Sequence, residues 1–326
     1  MDGVHPMAMP RTAEGDRTVF WQGLAMRLCL LCAPSACFAY FVLSYHQMSR
    51  LWTSVFVVTV AMGLELFCPA SYNAMSLAVP IFMFAQALLF QSEDGISWIQ
   101  GMLILPLSVL YIGGPMSMIL HRYFSHRAYK TSRALQFVFA IVSTFAFQGG
   151  ALWWACLHKL HHAHCDDIQD PHSITVQGFW YAWLGWMMDP KNYRVARFDF
   201  EVLDAALLCP EVRCVQRLHP VFPILWCMWA EAYFGYGAML WNFLLPMLLC
   251  RLITCLFNVE FHPKNAAAGA NCAARNDNRF LAKLVGESLH EDHHENPRRS
   301  RRRDWDLAWW CTISWMEPLG LVWECR

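Results

Sequence analysis

Charge is scarce in this chain: only 15% of its 326 residues are Asp, Glu, Lys or Arg, against 56% hydrophobic. An ordinary soluble domain carries roughly 25% charged residues, so the composition argues against a water-bathed globule and for a chain built for lipid. Net charge is also missing, with 25 basic and 25 acidic side chains. No whole-molecule field is left to attract polyanions, and nucleic acid is excluded as a partner. No Pro/Gly/Ser-rich linker and no internal repeat divides the sequence, which reads as an N-terminal tail over 1–23 and one domain over 24–326. Also lacking are a glycine-rich dinucleotide fingerprint, a haem-attachment signature and any pairing of Cys-x-x-Cys motifs. A dinucleotide site, a fused haem domain and a zinc ribbon are therefore not expected. Its fourteen cysteines lie mostly inside apolar runs, where they act as small hydrophobes, so a reduced, cytosol-facing setting is expected. The first 23 residues lack a cleavable signal pattern, and the first apolar run is expected to be retained.

Long apolar runs are abundant. A bilayer-spanning helix needs about 20 apolar residues. Candidates lie at 24–45, 51–67, 74–90 and 99–120, followed by "VFPILWCMWAEAYFG" and "AMLWNFLLPMLLCRLITCLF", which read as two spans around "GYG". The loops "QSEDGIS" and "GYG" have no Lys or Arg. The segments rich in histidine are flanked by Arg122, Arg127, Lys130, Arg133, Lys191, Arg194 and Arg197, so the positive-inside rule puts those segments in the cytosol. The basic run "NPRRSRRRD" suits a surface facing anionic headgroups.

Against this background the histidines stand out. Eight of the fourteen fall in three short stretches, "HRYFSH" (His121, His126), "HKLHH" (His158, His161, His162) and "HEDHH" (His290, His293, His294). On an α-helix, steps of three and four residues turn by about 300° and 400°, so His-x-x-His-His presents its rings within roughly 100° of one face. The two rings of His-x-x-x-x-His are about 140° apart on an ideal α-helix, a spacing for flanking a metal pair or sitting at a helix end. Imidazole suits iron, zinc or copper, and its second ring nitrogen ordinarily donates to a carboxylate. Asp166, Asp167, Asp170, Glu291 and Asp292 are candidates for that carboxylate, Asp170 foremost. Eight ligands exceed the needs of one ion, so two metals are expected. That number suits dioxygen chemistry rather than zinc hydrolysis, which uses about three protein ligands. The Glu-x-x-His pair of soluble di-iron bundles is absent, so the centre must be histidine-rich.

The stretches "HRYFSHRAYKTS", "HKLHHAHCDDIQDPHS", "GFWYAWLGW" and "GESLHEDHHENPRRSRRRDWDL" resemble the membrane fatty acid desaturases of the stearoyl-CoA, or acyl-CoA delta-nine, type, over roughly residue 100 to the C-terminus. The resemblance implies an all-α integral membrane protein with four core transmembrane helices, extra N-terminal spans in this chain, and a cytosolic helical cap holding the di-metal site. It implies two iron ions, dioxygen as co-substrate, a fatty acyl-CoA or acyl-lipid substrate, a b-type cytochrome or ferredoxin as electron donor, and residence in the endoplasmic reticulum membrane. It also implies a ninth ligand, His262 of "NVEFH", with Asn258 holding a metal-bound water, and a substrate tunnel lined by Gln148, Trp154 and Thr254. No catalytic residue beyond the metal centre is implied. A hydroxylase on the same di-iron plan is the alternative, since it differs only in how the substrate is positioned.

This chain departs from the family in several places. Lys159 stands where arginine is common. Glu291 and Asp292 replace neutral residues and are expected to place negative charge near the metals. Pro263 constrains the backbone after His262, and no basic cluster for coenzyme A phosphates follows "GWMMDPKNYR".

Overall fold

The computed structural model describes residues 50–89, 96–193, 203–263, 272–302 and 305–326. The expected span at 24–45 and the tail before it lie outside the described residues. Helices α1 (Arg50–Phe67) and α2 (Pro69–Leu89) follow one another across Cys68 and pack together. The central element is α3 (Trp98–Ser125). Ser97 starts it with a reciprocal cap: its side chain accepts from Gln100 N–H, and the Gln100 side chain accepts from Ser97 N–H. Its first turns expose Trp98, Ile99, Met102 and Leu105, an apolar outer face suited to lipid, whereas its second half is buried.

From Ile112 onward α3 is wound as a π-helix. Pro115 has no amide to donate, and its ring crowds the carbonyl four residues back, Tyr111, where the wider winding begins. A two-residue antiparallel ribbon pairs Lys130 with Trp323 and Thr131 with Val322, tying the chain's end beside this helix.

Helix α4 (Arg133–Ser143), started by Ser132, runs on through residue 146 to a break, and α5 (Ala151–Ala163) leaves at 74°. Phe147 and Gly149 make that turn in the left-handed region, and a Cβ on Gly149 would meet the Trp153 ring at 2.9 Å. Helices α6 (Pro210–Leu218) and α7 (Val221–Phe234) lead through Gly235 to α8 (Tyr236–Glu260), which contains a second π stretch at Met239–Leu244 just before Pro246.

Among the described residues two helices, α3 and α8, are long and apolar enough to cross a membrane, and the bent α4–α5 pair makes a third if taken as one span. One expected span is corrected. Residues 221–234 are helical but number only 14, about 21 Å, short of a hydrocarbon core of about 30 Å. The 51–67 run is helical throughout as part of α1, whose 18 residues reach about 27 Å. Helix α3 packs against α8, α4 and α5, so the first histidine stretch at its end, the second on α5 and the last turn of α8 meet at one level.

Candidate metal centre

The nine expected histidines converge into two adjoining groups. His121, His126, His158, His162 and His293 form the first, and His161, His262, His290 and His294 the second. Within the first, Nε2–Nε2 separations are 2.8 Å (His121 to His293), 2.9 Å (His126 to His158), 3.1 Å (His158 to His162) and 3.0 Å (His162 to His293). In the second, His290 Nε2 lies 3.0 Å from His262 Nε2 and 3.2 Å from His294 Nε2.

Helical winding decides which ring joins which group. His158 and His162, four residues apart on α5, differ by about 40° and go to the first group, while His161 points about 60° to the other side and joins the second. Helix α9 (His290–Glu295) repeats the division in reverse: His290 and His294 enter the second group, and His293 crosses to the first. So each His-x-x-His-His triplet serves two points rather than one. The 140° expected between His121 and His126 is overturned as well. A π-helix bonds residues five apart, so His121 and the residue five on, His126 at the helix end, sit one turn apart, with ring centroids at 5.2 Å.

The outer ring nitrogens find varied partners. His121 Nδ1 donates to Glu287 (3.1 Å), which also accepts from Ser117 Oγ (2.5 Å). His161 Nδ1 donates to Asp170 (2.9 Å), and His262 Nδ1 to Asp166 (3.3 Å). These donations put the Nε2 lone pairs inward. His293 differs, because Arg302 Nη2 donates to its Nδ1 at 3.0 Å. Burial, and then neighbouring imidazoles, push His126, His290 and His294 far below the ordinary histidine range, and burial with Arg302 does so for His293. Burial alone would raise the Glu287 carboxyl, but His121, Arg302 and Arg122 hold it down at about 2. Burial keeps the Asp170 carboxyl above its usual range.

This donor set fits metal ions. His121, His161 and His262 turn their Nε2 lone pairs inward, where a cation can take them, whereas His293, while it accepts from Arg302 at Nδ1, carries its proton on Nε2. At a metal–nitrogen bond of about 2.0–2.1 Å, ligands at right angles are ~2.9 Å apart and tetrahedral ligands ~3.3 Å. The observed 2.8–3.2 Å spans these two values, so the rings are close enough to share a metal ion.

Glu287 was not among the carboxylates expected from sequence; its place three residues before His290, in a turn rather than on that residue's helix, hid it. The glycine before it is required. Gly286 has φ +76°, and a Cβ there would lie 2.3 Å from Asp306 Oδ1 and 2.7 Å from Arg122 Nη2. Arg122 and Asp306 form a fully buried pair (2.5 and 3.1 Å), and Arg122 also donates to the Gly286 and Ser300 carbonyls. This lock fastens the approach to α9 against the end of α3. Glu291 and Asp292, expected to charge the metal surroundings, point elsewhere: Glu291 accepts from Asn276 and Asp292 pairs with Arg299 at 2.8 Å. Asp167 caps its own turn by accepting from Ile168 N–H.

Gln148, Trp154 and Thr254 form one hydrogen-bonded chain. Trp154 Nε1 donates to Gln148 (3.2 Å), and Gln148 Nε2 donates to Thr254 Oγ1 (2.5 Å). All three line a cavity that also takes in Asn258, Phe261, Glu287 and His290, so it reaches both histidine groups. Trp154 stacks on His158 at 4.7 Å. One expectation about cysteine is corrected: Cys165 and Cys272 are joined by a disulfide. They lie 107 positions apart in sequence, and only the fold brings them together.

Helices that suit a membrane, nine converging imidazoles and an adjoining buried cavity define a histidine-rich metalloprotein of the lipid phase. No family model matches the chain. Individual proteins do. A probable chloroplastic lipid desaturase of Arabidopsis thaliana is 30% identical over 235 residues, 69% of this chain and 63% of that protein. A probable acyl-CoA desaturase of Schizosaccharomyces pombe is 31% identical over 208 residues, 58% of this chain and 40% of that one. An sn-1 stearoyl-lipid 9-desaturase of Anabaena variabilis is 28% identical over 210 residues, 62% of this chain and 75% of that protein. The chain is thus similar to acyl-CoA and acyl-lipid desaturases. It spans 63% and 40% of the first two relatives' lengths.

Proposed function

We propose that this chain is a fatty acyl desaturase, an oxidoreductase that introduces a cis double bond into the saturated chain of an acyl-CoA or acyl-lipid. The observation that carries the reading is the meeting of two inward-facing histidine groups with the cavity crossed by Trp154, Gln148 and Thr254. The reaction takes two hydrogens from adjacent methylenes and, with dioxygen, two electrons and two protons, yields an alkene and two waters. Two iron ions would be held by His121, His126, His158, His162 and His293 on one side and His161, His262, His290 and His294 on the other, with Asn258 as the residue that holds a metal-bound water. When bound, they supply the oxidising power that hydrogen removal from an unactivated methylene demands.

The protein's own part is placement. Glu287, Asp170 and Asp166 fix the tautomers of His121, His161 and His262. The α4–α5 bend brings Gln148 across to Thr254 on α8, so the hydrogen-bonded chain fixes the width of the cavity beside the rings. Its apolar walls, Met116, Phe257 and Phe261 among them, hold one methylene pair there and keep bulk water away. Electrons come from a b-type cytochrome or ferredoxin. The reading includes one domain over 24–326 after a tail over 1–23, four core spans with further N-terminal ones, and a helical cap. It places the histidines in the cytosol beside the endoplasmic reticulum membrane, supported by the flanking Arg and Lys residues.

The test is gas chromatography and mass spectrometry of lipids from yeast lacking its own desaturase, expressing this chain or its His161→Ala variant. New monounsaturated chains with the parent and none with the variant are expected. Hydroxylated chains in place of alkenes would overturn desaturation.

A further inference from the structure

Resting on that reading of the metal centre, we propose that the Cys165–Cys272 disulfide is a reversible redox clamp that governs metal retention by the second histidine group. Its sulfurs abut the outer faces of two rings in that group. Cys165 Sγ is 3.6 Å from His262 Nδ1, and Cys272 Sγ is 3.5 Å from His294 Nδ1. The residue after Cys272 completes the clamp: Ala273 N–H donates to Asp166 Oδ2 (2.8 Å), the same oxygen that accepts from His262 Nδ1 at 3.3 Å. The crosslink therefore straps the 272–273 segment onto the turn after α5 and keeps Asp166 against His262. In that state His262 has its proton on Nδ1 and its lone pair toward the second group.

Reduction changes what the same atoms are able to hold. The ligand atoms of Cys165, Cys272, His262 and His294 lie within 4.8 Å of one another. With the sulfurs reduced, two thiolates, their protons released as the metal binds, and two imidazoles make the Cys2His2 set that binds zinc tightly; a ring that takes zinc on Nδ1 has its proton moved to Nε2, which withdraws that lone pair from the second group. The reduced pocket then exchanges its iron for a softer ion.

The chemistry is thiol–disulfide exchange with a dithiol. Cys165 is buried and Cys272 half-buried, so the incoming thiolate attacks Cys272 and the Cys165 sulfur leaves. The reductant's second thiol then displaces Cys272 from the mixed disulfide. The protein gains two electrons and two protons as two thiols, and the dithiol becomes a disulfide. A disulfide exposed to a reducing compartment is ordinarily transient and redox-sensing, as a clamp of this kind requires.

The test uses the full-length protein in detergent, loaded with Fe(II) under argon. One portion is left oxidised, and one is reduced with a phosphine that is then removed by desalting. Both are challenged with Zn(II), passed through a desalting column and assayed for iron and zinc by mass spectrometry. Alkylation and peptide mapping report Cys165 and Cys272. The oxidised protein is expected to keep both irons and the reduced protein to exchange one for zinc. Cys165→Ser and Cys272→Ser, which lack the clamp and one soft ligand, are expected to lose one iron at least tenfold faster than the oxidised parent without taking up zinc tightly. Equal metal content in the oxidised and reduced parent overturns the clamp alone, as does full alkylation of both cysteines before reduction. Failure of either state to bind iron overturns the clamp and the di-iron reading together.

Discussion

Two carboxylates, Glu287 and Asp170, offer a way to address the two histidine groups separately. Every group facing Asp170 is a donor: His161 Nδ1 (2.9 Å), Asp166 N–H (2.9 Å) and His172 N–H (3.0 Å). In Asp170→Asn the new amide NH2 faces either His172 N–H or the His161 and Asp166 donors, and in both orientations His161 in the second group loses its carboxylate partner's charge. Glu287→Ala leaves His121 Nδ1 and Ser117 Oγ without their acceptor and so acts on the first. Removing such a partner ordinarily costs 10–100-fold in metal affinity, or about 1.4–2.7 kcal/mol. The assay is an anaerobic Fe(II) titration against a competing chelator, which resolves two binding steps in the parent. Asp170→Asn is expected to weaken one step by that factor and Glu287→Ala the other, with a smaller change in the second step of each because the groups adjoin. Identical weakening of a single step by both variants would refute the assignment of rings to two groups. So would changes below about threefold in both.

Asp306→Ala strands the Arg122 charge in the interior and removes the acceptor for the N–H groups of Arg302 and Trp309, so a loss of about 3–5 kcal/mol is expected in denaturant or thermal unfolding. The double change Arg122→Met with Asp306→Leu should be the milder one. Gly286→Ala strains a left-handed residue and drives a methyl into that same pair. Iron content below half that of the parent at equal protein is expected, and a fully loaded variant would count against the lock. Acid should destabilise the metal-free protein. Buried histidines with lowered pKa, His172 at about 3 and His219 at about 4 among them, stay neutral when folded but take up protons once unfolded, below about 6.5. Stability is then greatest above pH 6.5 and falls toward pH 4, by up to about 1.4 kcal/mol per pH unit per histidine; unchanged melting temperatures between pH 7 and 5 would contradict this. Gln148→Ala breaks the link from Trp154 to Thr254, and a broadened mixture of double-bond positions in the product lipids is expected, whereas an unchanged single isomer would remove Gln148 from substrate positioning.

The ligand types were legible because metal chemistry selects them almost without regard to context. Eight histidines in three short stretches announce a site whatever the fold around them. Their apportioning was half legible, since the 40° and 60° offsets of His-x-x-His-His follow from helix geometry once two target points are assumed. His121 and His126 misled a reading based on the α-helix, because the segment after Pro115 is wound as a π-helix. Glu287 and Arg302 were missed for a different reason. Neither lies at a helical spacing from the ring it touches, and a backbone turn at Gly286 and a buried ion pair bring them there. Cys165 and Cys272 carried no pairing signal across 107 residues.

By itself the sequence determined the lipid-suited helices and the eight clustered imidazoles that point to metal, because hydropathy and ligand chemistry are properties of short segments; His262 entered only through the family resemblance. The tertiary structure decided the division of the rings into two groups, the tautomer partners, the cavity joined by Trp154, Gln148 and Thr254, and the disulfide. Each of these depends on side chains from segments up to 172 positions apart, such as His121 and His293, and packing alone sets distances of that kind.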